Sequence, residues 1–268
     1  MNAEISTWLD AILRWVHVFA GIMWVGTTYF FTWLDGRFTE LEKSASEKGE
    51  PVWMVHSGGF YRVEKQKAPS PLPQNLHWFR WEAALTWLSG MTLFILVYYM
   101  GGLMISTEES RLSLGAAIGL SVGLLMIGWL IYDLVLGKLF KNEIVGATIS
   151  LVVIAILNWF LARYFSGRAA YLQLGAMFGT IMVANVWMRI LPAQRRMVAA
   201  LKEGKTPDAD EAKRAKNASR HNTFMAVPVV FIMISNHFPM AYGHRYNWII
   251  LTGLVLAGWM AAKIIRRA

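Results

Sequence analysis

The chain has 268 residues, 56% of them apolar and only 16% charged, with a mean hydropathy of +0.39. A soluble domain averages about a quarter charged residues, so this composition excludes a soluble enzyme. Cysteine is absent, which excludes disulfides, iron–sulfur clusters, thiolate zinc sites and the C-x-x-C-H attachment of a covalent c-type haem. The net charge of +9 suits the cytoplasmic loops of a polytopic membrane protein, and no nucleic-acid partner is expected.

A spanning helix takes about 20 mostly apolar residues. Seven stretches meet that length or approach it: Ala11–Leu34, Phe79–Ile105, Leu112–Leu136, Glu143–Phe165, Ala169–Leu191, Asn222–Phe238 and Tyr246–Ile264. The sixth is the shortest and contains Pro228, which neighbouring helices tolerate at membrane depth. The first is too long for a signal-peptide core and lacks a basic leader, so it reads as a true first helix. The pattern predicts an all-α, seven-transmembrane bundle forming one integral membrane domain over residues 1–268. Of the 26 Lys and Arg, 21 fall on one side of this arrangement and 5 on the other. The positive-inside rule then places the N-terminus in the periplasm and the C-terminus in the cytoplasm of a bacterial inner membrane.

Two long loops, 35–78 and 192–220, therefore face the cytoplasm. In the first, Val52–His56 and Phe60–Val63 flank Ser57-Gly58-Gly59 and read as a hairpin. Pro69, Pro71 and Pro73 then make a stiff run into the second helix. The second loop is charged and Ala-rich and reads as a surface helix broken near Gly204–Pro207. Gly115, Gly119, Gly123, Gly175 and Gly179 are spaced as faces for close helix contact.

Titratable groups at membrane depth are costly and mark functional candidates. They form two layers. Towards the outside lie His17 on the first helix and Asn236 and His237 at the end of the sixth, with His244 beyond. His17 with Gly21 one turn away suits a haem b, since imidazole binds iron while the glycine lets the flat ring approach, and His237 is the candidate second ligand. A histidine hydrogen-bonded to a neighbouring helix beside a packing glycine gives the same pattern. Towards the cytoplasm lie His77, Glu82, Asp133, Asn185, Arg189, His221 and Asn222, with His56 in the hairpin. Arg189 offers two parallel donors to a planar anion, and Asn185 offers a donor and an acceptor. Glu82 or Asp133 is the candidate base, and His77 or His221 the proton carrier. Helix-end ion pairs and snorkelling side chains are the plainer account of the same residues.

The strings Met54–Lys65 (MVHSGGFYRVEK), Leu76–Ala83 (LHWFRWEA), Ser235–Pro239 (SNHFP) and Arg220–Phe224 (RHNTF) occur in order with the first-helix H-x-x-x-G-x-x-W-x-G. Together they resemble the membrane-bound, cytochrome c-linked urate oxidase family, the PuuD-type urate hydroxylases. The resemblance covers nearly the whole chain. It implies oxidation of urate to 5-hydroxyisourate in purine catabolism, with electrons passing to a cytochrome c. Members of that family usually continue through an eighth helix into an outer cytochrome c domain, whereas this sequence stops at Ala268 without one. The acceptor implied is then a separate soluble or membrane-anchored cytochrome c, or a quinone. For urate or a related purine, the resemblance points to the inner layer as the pocket. Arg189, Asn185 and Asn222 would bind the anion, Trp78 and Trp81 would stack on it, and the His56–Tyr61 hairpin would close over it. Glu82 is the preferred base there. A purine or organic-anion transporter explains the same intramembrane charges without redox chemistry, and a haem b electron-transfer subunit needs only His17 and His237.

Overall fold

A computed structural model of the chain describes residues 2–43, 50–66, 68–106, 111–136 and 142–266. Lys48, Lys67, Lys138, Lys141 and Arg267, which contribute to the charge asymmetry, lie outside the described residues. The first helix, α1 (Ala3–Lys43), extends beyond its apolar stretch at both ends. Strands β1 (Val52–His56) and β2 (Gly59–Val63) follow as an antiparallel pair in which His56 faces Gly59. Only Ser57 and Gly58 lie between the strands, both at positive φ (50° and 77°). That is the two-residue hairpin turn whose twist matches its strands, and it needs a glycine or a tolerant polar residue. Gly59 therefore belongs to the strand rather than to the turn.

The remaining helices are α2 (Trp81–Phe94), α3 (Leu114–Ile131), α4 (Glu143–Tyr164), α5 (Gly167–Ala184), α6 (Leu191–Lys202), α7 (Ala209–Ile234), the short α8 (Pro239–Tyr242) and α9 (Asn247–Ile265). Short polar residues begin several of them. Ser113 Oγ accepts from Ala116 N at 3.3 Å, Asn142 Oδ1 from Ile144 N at 2.9 Å, Ser166 Oγ from Ala169 N at 3.3 Å and Asp208 Oδ1 from Asp210 N at 2.9 Å. Each satisfies a backbone donor that the first helical turn leaves unpaired. Three helices widen into π turns at their C-terminal ends: α2 over Ile95–Met100, α3 over Tyr132–Leu136 and α5 over Asn185–Ile190. After its π turn α5 runs on into α6 without a break, giving one continuous helical rod over Gly167–Lys202. The expected break in the charged loop falls at residues 203–208, where Gly204 takes φ 69°.

Among the described residues, six helices are long and apolar enough to cross a membrane, consistent with a helical membrane protein. The exception among the seven expected stretches is on α7, whose first half is charged and whose apolar half begins at Asn222. That apolar half still packs inside the bundle against α5 and α9. The core centres on α5. Half of its spanning window is buried, against 6% of that on α1, and Tyr171, Leu174, Phe178 and Met182 lie in one apolar cluster with Phe94, Ile154, Ile232 and Leu251. Gly175 is needed in that core, since a Cβ there would stand 2.7 Å from Ile232 Cγ2. The glycines expected to make a contact face on α3 behave differently: a Cβ added at Gly115, Gly119 or Gly123 would meet nothing from another element within 4 Å among the described residues, and the same holds for Gly179 on α5.

Outside the bundle, Leu34 and Phe38 of α1 pack with Val52, Met54 and Val63, which seats the hairpin on the inner extension of α1. Lys65 Nζ donates to Asp35 Oδ1 at 2.5 Å across the same junction. On the α6–α7 turn, Glu211 bonds Arg196 at 2.7 Å and Arg214 at 2.5 Å, and these guanidinium groups hold its carboxyl below the usual carboxylate range.

Candidate functional site

At the end of the bundle expected to face the cytoplasm, called the inner end, polar side chains from three helices converge. Asn222 on α7 donates through Nδ2 to the Met182 carbonyl at 3.0 Å. That carbonyl lies where α5 changes from α to π hydrogen bonding, a place where backbone acceptors lose their regular partners. Asn185, the first residue of the π turn, donates through Nδ2 to Asn222 Oδ1 and to the Tyr132 hydroxyl, both at 2.9 Å. Tyr132, the first residue of the π turn on α3, lies 2.7 Å from His221 Nδ1 on α7. Asn185 and Asn222 are 2% and 4% exposed, so these bonds stand largely out of water, where an unmatched amide is costly.

An ion pair lies beside this group, one residue beyond Tyr132 and one turn beyond Asn185. Arg189 donates to Asp133 Oδ1, with the Asp133 side chain 14% exposed and that of Arg189 32%. The structure thus brings together Asp133, Asn185, Arg189, His221 and Asn222 of the expected inner layer. Of the two candidate bases, Asp133 is the one whose carboxylate engages Arg189. The π turns give a physical reason: widening each helix shifts the residues after it around the axis, so that Asp133 and Arg189 face each other across α3 and α5.

The start of α2 lines the same end. Trp81 meets Trp187 edge to face at 5.9 Å between ring centroids. Trp78 packs with Ala83, Val186 and Leu191. Glu82 occupies the first turn of α2, and its backbone carbonyl accepts from Thr86 Oγ1 at 2.7 Å. His77 is exposed, with its ring against Phe79 at 4.5 Å. His56 and Tyr61 sit on the exposed hairpin, where His56 Nδ1 lies 2.9 Å from Ser57 Oγ. Because that hairpin is seated on α1, its contacts place it beside the first helix rather than over the α3–α5–α7 cluster.

The expected outer pair is arranged otherwise. His17 Nδ1 donates to the Thr86 carbonyl at 2.9 Å and lies 3.2 Å from Ser89 Oγ. A Cβ on Gly90 would stand 2.7 Å from His17 Cε1, so Gly90 makes room for the imidazole. Bonded in this way, the ring has no hydrogen bond at Nε2 among the described residues. His237 is exposed on the turn that follows α7. Its neighbour Asn236 accepts from Tyr98 at 3.2 Å and from Arg168 at 3.3 Å. Ser89, beside His17, and Tyr98, which bonds Asn236, lie nine residues apart on one helix. His17 sits at the middle of α2, deeper than its place in the first apolar stretch implies.

Two polar groups escape sequence reading. Tyr132 looks like one more interfacial aromatic until the structure shows it as the hub between Asn185 and His221. Gln173, fully buried, bonds Ser121 through Oε1 at 2.5 Å and Nε2 at 3.1 Å, with the Tyr99 hydroxyl 2.7 Å from Ser121. That second group clasps α2, α3 and α5 and needs no further role.

With this geometry in place, comparison with known families is informative. The model of the urate oxidase N-terminal family matches residues 3–267, and the chain belongs to that family. No curated protein and no solved structure matches it.

Proposed function

We propose that this member of the urate oxidase N-terminal family oxidises urate, or a closely related purine, at the inner-end cluster of α3, α5 and α7. The observation that carries the proposal is the gathering of Asn185, Asn222, Tyr132, His221 and the Arg189–Asp133 pair at one end of the bundle. Urate is planar, rich in hydrogen-bonding edges and a monoanion at neutral pH. Its recognition calls for a forked cation, an amide pair and a flat apolar wall. Arg189 supplies the cation, with Asp133 fixing its orientation and leaving its remaining N–H groups for the ligand. Asn185 and Asn222 hold the polar edge in place, and Trp78 and Trp81 supply the wall beside Trp187.

In the proposed reaction, urate and water give 5-hydroxyisourate, two protons and two electrons. Water contributes the oxygen added to the ring, and Glu82 at the mouth of α2 takes its proton, with His77 next to the aqueous surface to pass it on. The electrons leave singly to a cytochrome c or as a pair to a quinone. Replacing Arg189 with lysine keeps the charge but removes the fork. It is expected to raise KM for urate about tenfold and to leave the helical content unchanged, as read by urate-dependent reduction of added cytochrome c and by circular dichroism. Full turnover with unaltered KM in that variant would place the anion elsewhere.

The proposed topology takes the apolar half of α7 as the seventh span, with the N-terminus in the periplasm and the C-terminus in the cytoplasm of a bacterial inner membrane. The excess of Lys and Arg in the loops 35–78 and 192–220 supports it. A reporter fused after Ala268 is expected to be active only in its cytoplasmic form. Activity of a periplasmic reporter there would reverse the orientation.

A further inference from the structure

Hydrogen-bond polarity in the inner cluster fixes more than the positions of its members. A backbone carbonyl can only accept, so the atom of Asn222 that meets the Met182 oxygen at 3.0 Å is its amide nitrogen. Asn222 then turns its oxygen towards Asn185, and only the Asn185 nitrogen can match it, at 2.9 Å. The same nitrogen carries a second hydrogen, which is directed at the Tyr132 oxygen, also at 2.9 Å. Tyr132 therefore accepts from Asn185, and its own hydrogen is left for His221 Nδ1 at 2.7 Å. The opposite arrangement, with Nδ1–H donating to Tyr132, gives the tyrosine oxygen two donors and leaves its hydroxyl hydrogen without an acceptor among the described partners.

We infer that Tyr132 is a positioning residue that holds His221 as a neutral imidazole protonated on Nε2. The site then presents an N–H donor to its ligand from His221, where the family of roles open to a histidine also includes base and cation. The inference deepens the proposed function and rests on it only for what the donor meets: a carbonyl oxygen or a deprotonated ring nitrogen on a planar anionic heterocycle. His221 is half-buried and follows Arg220, which is bonded to Glu143 of α4. Its ring lies edge to face with Tyr132, 5.8 Å between centroids.

The test is nitrogen NMR on the full chain in nanodiscs with 15N-labelled histidine, the His221 signals being assigned by their loss in His221→Gln. A bare Nδ1 and a protonated Nε2 are expected in the unaltered protein, and Tyr132→Phe should shift His221 towards the Nδ1–H tautomer. Kinetics supply the second arm. His221→Leu should raise KM for urate about tenfold, and His221→Gln, which keeps an N–H near the Nε2 position, should recover part of that loss. A His221 protonated on Nδ1, a charged His221 at neutral pH, or the same tautomer in Tyr132→Phe overturns the inference. The tautomer is read without substrate, so failure of the underlying site shows separately: His221 signals that saturating urate does not move would remove the donor from substrate recognition.

Discussion

Replacing Asn185 with leucine should lower urate oxidation at least about a hundredfold and the stability of the bundle by about 2 kcal/mol. Leucine shares the branched outline of asparagine and suits a helix, so helix propensity does not account for the loss. The effect comes from the partners left behind. Asn222 Oδ1 and the Tyr132 hydroxyl each accept from Asn185 at 2.9 Å, and Asn185 is 2% exposed. A buried acceptor stripped of its donor costs about 1–3 kcal/mol, part of which is recovered if water enters from the half-exposed side of the cluster. The catalytic loss is larger because the chain of bonds that orients His221 begins at this amide. Asn185→Asp keeps the volume and one acceptor but reverses the polarity of both bonds, so it should be as damaging to turnover. Thermal unfolding in detergent and urate-dependent cytochrome c reduction read the two effects. Turnover within a few-fold of the unaltered protein would show that the amide only fastens α5 to α7.

Replacing Gly258 with valine should destabilise the protein by about 3 kcal/mol, the upper part of the range for overpacking a core. A Cβ at this position would lie 2.8 Å from both Cδ and Cγ of Pro228 and 3.0 Å from its nitrogen. Those atoms belong to a rigid ring and to the backbone of α7, so neither can swing aside as the end of a flexible side chain would. Pro228 lacks an N–H and leaves a carbonyl one turn earlier without its helical partner. The close approach of α9 at Gly258 is what holds that irregular turn in the bundle. Because α7 also carries His221 and Asn222, displacement here should reach the inner cluster and reduce urate turnover along with stability. Gly253→Val on the same helix is the control, since no atom lies within 4 Å of a Cβ there; it should unfold at nearly the same temperature as the parent. Equal loss in both variants would trace the effect to helix propensity rather than to the Pro228 crossing.

Hydropathy made the bundle legible because a membrane span imposes length and apolarity together. Six of the expected stretches correspond to helices that meet both conditions. The α7 stretch was harder to read, since its helix begins in a charged surface segment and ends at Ile234, just before the Ser235–His237 turn. The hairpin was visible from Ser57-Gly58-Gly59, although pairing rather than composition decides that Gly59 is a strand residue. At the inner end, residue type identified Arg189, Asp133, Asn185, His221 and Asn222 as costly at membrane depth, but not which of them meet. Spacing by regular α-helix does not give the Arg189–Asp133 pair, because both residues lie in π turns that alter the angular position of every side chain beyond them. Tyr132 was hidden for a different reason: an aromatic at a helix end is usually an interfacial anchor, and only its partners distinguish a hub from an anchor. His17 and His237 illustrate the limit of counting depth from the ends of hydropathy stretches. α1 begins eight residues before the Ala11 boundary of its stretch, so His17 lies deeper against α2 than that boundary suggests.

The central claim is that urate is held by the α3–α5–α7 cluster. Equilibrium binding of urate to the purified full chain, measured by calorimetry for the parent and for Arg189→Lys, Asn185→Leu and His17→Ala, tests it most directly. The account predicts that the first two variants weaken binding by about tenfold or more while His17→Ala, altered on α1 where it packs against the middle of α2, binds as the parent does. Parent-like affinity in both inner-end variants, or loss of binding in His17→Ala with the inner cluster intact, would contradict it.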